Sequence, residues 1–421
     1  MPVLDTALDT EVLPLPVEHA APAAPVAKRL LSIDILRGLV MLFMALDHAR
    51  FYFASAAASP EYLPNSTPAL FFTRWITHFC APTFFFLAGA SGFLSGPVGG
   101  YSRQVISRFF WSRGLWLIFL GFTVVDYAGT GLFFEPYGGV IWCLGLCMLV
   151  MAPLIRLPRM AVAAISLAII VGHHVLDTIS ASRFGNFAVL WSVIHSPGVY
   201  PFGSHHEFFA LFTLIPWVAV MAAGYAYGPI LLRMDRRKVL FWSGLFTTLV
   251  FFVLRGFNLY GNGSLANPYR PSSLGPWTIQ PSFAMTVVSF FNTVKYPASL
   301  QFLLMTLGPM LMLLAWLDHA TLERSWARVL VVYGRVPLFF YILHPLILRT
   351  MAIWVSWMQH QDASWLQYGG PRLILPPPSY GHSLPFIYAM WLLAAAALYF
   401  PCKWFMRIKK DHANWWWLRY L

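Results

Sequence analysis

Leu30 to Phe53 reads LLSIDILRGLVMLFMALDHARFYF, an apolar run long enough to span a bilayer that also carries Asp34, Arg37, Asp47 and His48. An ionisable side chain at the bilayer centre costs at least about 2.5–3.5 kcal/mol, so such residues face a bundle interior or a water-filled cavity. At 100° per residue, Asp34, Arg37, His48 and Tyr52 fall on one stripe roughly 60° wide. Arg37 and His48 are then roughly 16 Å apart along the axis, one near a membrane face and the other past the midplane. Asp47 points about 100° away from His48, because neighbouring helical residues do not face each other. Asp47 is kept as a candidate catalytic residue, and any carboxylate that orients His48 is expected from another helix.

The chain has 421 residues, 58% hydrophobic and only 10% charged, with a mean hydropathy of +0.63. That excludes an ordinary soluble globule and points to an all-α polytopic membrane protein. A net charge of +12 can mark a nucleic-acid binder, but no basic repeat is present and the charges sit at the ends of apolar runs. No nucleic-acid partner is expected. Cys80, Cys143, Cys147 and Cys402 all lie in apolar segments, where buried free thiols are expected rather than a metal site.

Spanning segments are expected near 30–53, 71–95, 104–126, 138–155, 159–178, 208–232, 238–258, 296–317, 337–357 and 384–407, about ten helices in all. The apolar stretches Phe187–Ile194 and Phe283–Phe291 are too short to span and read as interfacial or re-entrant pieces. Residues 1–29, rich in Pro, Ala and acidic side chains, read as a disordered cytoplasmic tail, and 30–421 as a single transmembrane domain. With the N-terminus inside, 17 of the 28 Lys and Arg fall on the cytoplasmic side and 8 outside, while Arg37, Arg113 and Arg335 sit near inner helix ends. That asymmetry favours an even helix count with both termini cytoplasmic. Two outer loops, about 179–207 and 259–295, are long enough to shape a pocket.

The remaining charges sort onto two sides. Arg103, Arg108 and Arg113 enter the third helix from the cytoplasm at spacings of five, which scatters them around the helix. Arg113 lies beyond an aromatic step, inside the hydrocarbon region. With Arg37, Arg108 and Arg335 it is expected to line an inner pocket for an anion, since guanidinium forks suit phosphate and pyrophosphate. Arg335 stands just before Pro337, which is placed to open a helix carrying His344 two turns further in. His78, entering the second helix from outside, could converge with His48 and His344. Neutral histidine takes a proton from an attacking hydroxyl or amine, or accepts an acyl group itself. Lys295 in the second outer loop, with Asp34 and Tyr52 on the first-helix stripe, is read as a substrate contact. His205-His206-Glu207 offers too few ligands at definite spacing for a metal site, and no metal is expected. The small run Ala88 to Gly92 permits close helix packing, within one chain or between two chains of a homodimer.

Several segments resemble the heparan-alpha-glucosaminide N-acetyltransferase catalytic-domain family, and its bacterial branch above all, within a wider superfamily of transmembrane acyltransferases. They are SIDILRGLVMLFMALDHAR, RWITHFCAPTFFFLAGASGFLSG, SRGLWLIFLGFTVV, LIPWVAVMAAGYAYG, FNTVKYPASLQFLLMTLGP and YGRVPLFFYILHPLI, in order along most of the chain. The resemblance implies a multi-pass enzyme of the bacterial inner membrane. Such an enzyme takes an acetyl or other acyl group from cytoplasmic acyl-CoA, acetyl-CoA above all, to a sugar or related acceptor on the far face. In the lysosomal member the catalytic histidine sits in the loop between the first two helices. The matching stretch here, Pro60 to Phe72, has none, so His48 and His78, which flank it, take over that expectation. A transporter using the same Arg and His residues as a substrate or proton path is the competing reading.

Overall fold

The computed structural model describes residues 30–421 apart from 56–58, 97–98, 132–136, 203–205, 263–274, 321–322, 368–376, 378 and 413. The expected tail, 1–29, lies outside the described residues, as does His205. Among the described residues, eight helices are long and apolar enough to cross a membrane. In chain order, with the further helices α1 and α4 among them, the first are α1 Leu31–Phe53, α2 Pro68–Leu94, α3 Arg103–Thr130, α4 Val140–Leu154, α5 Arg159–Thr178, α6 Leu214–Leu232, α7 Arg236–Gly256 and α8 Leu300–Leu317. After these come α9 Ser325–Arg335, α10 Pro337–Met358 and α11 Leu384–Asp411. Each of the ten expected spans coincides with one of these helices. α1 is the charged one and α4 the short one, while α9 is additional: its 11 residues are too few to read as a span.

Local chemistry sets the starts. Thr67 caps α2 by accepting from the Leu70 amide at 3.2 Å, and Ser299 caps α8 by accepting from Phe302 at 3.1 Å. Pro337 opens α10, where its missing N–H costs nothing. Arg37 lies toward the first end of α1 and Asp47 toward the last, so the two mark opposite ends of the bundle. α1 occupies the interior, packed on α2, α8, α9, α10 and α11. α5, α7 and α11 turn most of their apolar side chains outward, the arrangement expected of helices whose partner is lipid.

Close approach of backbones is built on paired glycines. A Cβ on Gly38 of α1 would meet the Leu330 carbonyl oxygen of α9 at 1.9 Å, and one on Gly334 of α9 would meet the Asp34 carbonyl oxygen at 1.8 Å. Gly89 and Gly224 do the same for α2 and α6. Gly89 of the small-residue run is therefore used inside the chain. The short helices Ala188–Ile194 and Phe283–Phe291 fall where the sequence breaks into pieces too short to span. A small sheet was not foreseen: β1 Tyr137–Gly138 lies parallel to β3 His206–Ala210, which pairs antiparallel with β2 Gly198–Phe202. Its strands are two to five residues long, below the length at which alternation can be read from sequence.

Candidate active site

At the Arg37 end, α1, α2, α3, α4, α9, α10 and α11 line a cavity of about 320 Å³. Arg37, Arg113, Arg335 and Lys409 line it together with Ser91, Met41 and Tyr341. Three of the four arginines expected to share an inner pocket thus do so, and Lys409 joins them from α11. Arg108 does not: it points outward from α3 and is exposed.

Asp34 organises two of these cations rather than lining the cavity. It is 1% exposed, with one carboxylate oxygen 3.7 Å from Arg37 Nη1 and the other 3.4 Å from Arg335 Nε. The glycine-mediated contact of α1 with α9 makes this possible, because it brings the last residue of α9 against the first turn of α1. Arg37 also donates to Ser91 Oγ on α2. The guanidinium of Arg113 stacks over the Phe109 ring at 5.7 Å.

Tyr341 forms one boundary of the cavity, and its ring centre is 5.5 Å from that of His344. His344 is fully buried, and its Nε2 lies 3.1 Å from Nδ1 of His48. The same Nδ1 of His48 is 2.9 Å from the Met44 carbonyl, and Nδ1 of His344 is 3.1 Å from the Phe340 carbonyl. A carbonyl oxygen only accepts, so each Nδ1 carries the proton. His48 therefore donates to both the Met44 carbonyl and His344 Nε2, and its own Nε2 is left with a lone pair. Among the described residues no group hydrogen-bonds to that nitrogen. The partner expected for His48 was a carboxylate; the structure supplies a second imidazole instead.

Asp47 is indeed turned away from His48. Its carboxylate receives Arg50 at 3.1 Å and Arg74 from α2. Arg74 Nε also reaches Glu61 Oε1 at 3.0 Å, and His78 Nε2 donates to the same oxygen at 3.2 Å. His78 thus belongs to an Asp47–Arg74–Glu61 network at the Asp47 end, and the expected convergence of three histidines is reduced to two. Burial works against the charge of Glu61, but Arg74 and the His78 hydrogen bond outweigh it and hold its carboxyl well below the usual range. Asn292 donates to the Glu61 carbonyl at 2.9 Å, and its own carbonyl receives Arg255 at 2.9 Å. Lys295, 7% exposed, stands three residues further on, with its ammonium 5.3 Å from the Tyr296 ring centre. Tyr52 is 3% exposed and donates its hydroxyl to the Gly129 carbonyl at 2.8 Å, a packing role at the foot of α3.

Glu61, Arg74, Tyr341 and Lys409 were not singled out from the sequence. Arg74 and His78 are one turn apart on α2, a spacing that puts them on one face and would have marked the pair. Glu61 lies in a loop, where no periodicity points to it. Cys143 and Cys147 are free, buried and 4.0 Å apart.

A family model described as heparan-alpha-glucosaminide N-acetyltransferase, catalytic, matches residues 29–265, just over half of the 421 residues. No curated protein matches the chain. The match takes in Arg37, His48, Glu61, Arg74, His78 and Arg113, while Lys295, Arg335, His344 and Lys409 follow it in the chain. This multi-pass, all-α chain belongs to the heparan-alpha-glucosaminide N-acetyltransferase catalytic family, a family of membrane acetyltransferases.

Proposed function

We propose that the chain moves an acetyl or other acyl group from acyl-CoA held in the Arg37 cavity to a hydroxyl or amine of a saccharide-like acceptor approaching from the Asp47 end. The observation that carries this reading is the cavity itself. Four cationic side chains line it, and its tyrosine boundary packs against His344 of the His344–His48 pair. Arg37, Arg113, Arg335 and Lys409 suit the phosphates of a coenzyme A donor, because planar guanidinium groups bind such oxygens in pairs. The volume is that of a small-ligand pocket, at the lower end of the range of about 300–1,000 Å³.

His48 is the base. Its Nε2 lone pair takes the proton of the acceptor O–H or N–H as that atom attacks the thioester carbonyl. The C–S bond breaks, and the departing thiolate receives the proton that His48 collected. His344 positions His48 by accepting its Nδ1–H. Asp47, Glu61, Arg74, His78 and Lys295 receive the acceptor. With the positive-inside bias of 17 against 8, the donor cavity faces the cytoplasm and the acceptor side faces outward, as for a bacterial inner membrane.

Purified full-length protein in detergent, given acetyl-CoA radiolabelled in the acetyl group, tests the reading. Release of free CoA with label appearing on an amino sugar, sugar hydroxyl or water supports it. Uptake of sugar into proteoliposomes with no thioester cleavage would overturn it in favour of transport.

A further inference from the structure

The Asp47 end holds a second cluster of titratable side chains, remote in the chain from all those discussed above. The last turn of α5, His173–Thr178, carries His173, His174 and Asp177, and the chain returns to it with His195 at the end of the helix Ala188–Ile194. Ligand atoms of His173, His174 and Asp177 all lie within 4.8 Å of one another. His195 Nε2 is 2.9 Å from Asp177 Oδ1, and His174 Nδ1 is 2.8 Å from Asp177 Oδ2.

The four side chains are not equivalent. His174 has both ring nitrogens engaged: Nε2 accepts the Leu300 amide at 2.9 Å, so its proton sits on Nδ1 and goes to Asp177. His173 has neither engaged. It is 3% exposed, and among the described residues neither Nδ1 nor Nε2 has a hydrogen-bond partner. His195 is 1% exposed, and its Nδ1 also lacks a partner. Buried polar atoms are hydrogen-bonded in the large majority of cases, so a wholly unpaired His173 imidazole beside the Asp177 carboxylate needs a cause.

We propose that His173, His195 and Asp177 form a binding site for a divalent transition-metal cation of the zinc class, with His174 as the residue that positions Asp177. The donor set is two imidazoles and one carboxylate, a combination that leaves a fourth tetrahedral position for water. The ring centres of His173 and His195 are 5.8 Å apart, against about 5 Å for two imidazoles on one tetrahedral ion. The ion takes the place of the proton now held between His195 Nε2 and Asp177 Oδ1, and that proton moves to Nδ1 of the same ring, so His195 binds as a neutral imidazole. His174, fixed by the Leu300 amide, holds the other carboxylate oxygen, the usual second support of a metal ligand. The ion ties together the end of α5 and the segment before β2, and through His174 the first residue of α8.

The test uses the full chain in detergent, stripped with a chelator, desalted and titrated with Zn2+ or Co2+. One equivalent of Zn2+ per chain, with the intense visible absorption of four-coordinate Co2+, is the expected result. His173→Ala and Asp177→Asn should remove that absorption and His174→Ala should weaken binding by about 10–100-fold. His382→Ala, on a packing histidine elsewhere, should bind as the parent does. Asp177→Asn preserves side-chain volume, so it reports on the ligand even where an alanine variant folds poorly. A parent chain that retains no Zn2+ after desalting overturns the proposal. Equal binding by the parent, His173→Ala and Asp177→Asn also overturns it, by placing the metal elsewhere.

Discussion

His48 of α1 and His344 of α10, 296 residues apart in the chain, share a hydrogen bond of 3.1 Å in which His48 Nδ1 is the donor. With the Met44 and Phe340 carbonyls fixing the proton on each Nδ1, that contact leaves Nε2 as the basic nitrogen of His48. It also separates His48 from His78, whose Nε2 is given to Glu61 and whose ring is fully buried. His48→Ala should therefore lower acyl transfer by about 10²–10⁴-fold, the ordinary worth of a general base. His344→Gln, which still offers an acceptor, should cost less than His344→Ala, with the loss in kcat rather than in KM for the donor. A His48→Ala enzyme of full activity, with His78→Ala inactive, would move the base to the Glu61 network.

Donor affinity should follow the cations of the Arg37 cavity. Arg37→Ala and Arg113→Ala are expected to raise KM for acetyl-CoA about tenfold or more each, since a hydrogen bond to a charged group contributes about 1.5–3 kcal/mol. Arg108→Ala, on an exposed position, should leave KM unchanged. Steady-state kinetics with CoA as a product inhibitor reads both effects.

The Asp34 clamp depends on two backbones touching. A methyl group on Gly334 would sit 1.8 Å from the Asp34 carbonyl oxygen, so Gly334→Ala must push α9 off α1. Overpacking of this kind costs about 1–3 kcal/mol, and here it also carries Arg335 away from Arg37. The expected outcome is a lower melting temperature together with a raised KM for the donor. A stable variant with normal KM would mean that the clamp does not shape the cavity.

Glu61 gives the protein an acid-sensitive side. Its folded-state carboxyl lies below the ordinary value of about 4.3, so the stability it contributes is fully present above that value. As pH falls from there through the folded value, the unfolded chain binds the proton first and the contribution is lost. Thermal unfolding in detergent should be steeper against pH below about pH 5 for the parent than for Glu61→Gln. Identical slopes would show that the Arg74 and His78 contacts are worth nothing to the fold.

Much of the architecture was legible because lipid imposes one rule, a run of about twenty apolar residues per crossing, and among the described residues eight helices obey it, with α1 charged and α4 short. The same rule does not report α9, whose 11 residues, with Trp326, Arg328 and Arg335 among apolar neighbours, are too few for a crossing. At the site, Arg37, Arg113, Arg335 and His48 stood out because charge in hydrocarbon is costly, and the cavity and the histidine pair include them. Glu61 and Arg74 did not stand out, since at helix ends and in loops charge is ordinary. Tyr341 carries no charge at all; only its position between cavity and imidazole gives it meaning. The cluster of His173, Asp177 and His195 escaped for a further reason: its members are joined by a chain reversal across the loop 179–194, and spacing along a sequence does not report a turn of that length.

Tyr341 is the remaining step between donor and base. It lines the cavity, while neither His48 nor His344 does, and its ring lies one helical turn from His344 on the same face of α10. An acyl group entering from the Arg37 end therefore meets the phenol before it meets the imidazole. If the ring is a barrier that swings aside on donor binding, Tyr341→Ala should open a continuous path and let water reach the thioester. Hydrolysis of acetyl-CoA without acceptor would then rise relative to transfer, with little change in KM for the donor. If the hydroxyl instead assists the reaction, Tyr341→Phe should lose transfer while its hydrolysis stays at the parental level. Measuring CoA release with and without acceptor, for both variants, separates the two roles. A Tyr341→Ala enzyme with the parent's ratio of hydrolysis to transfer would remove the tyrosine from the path altogether.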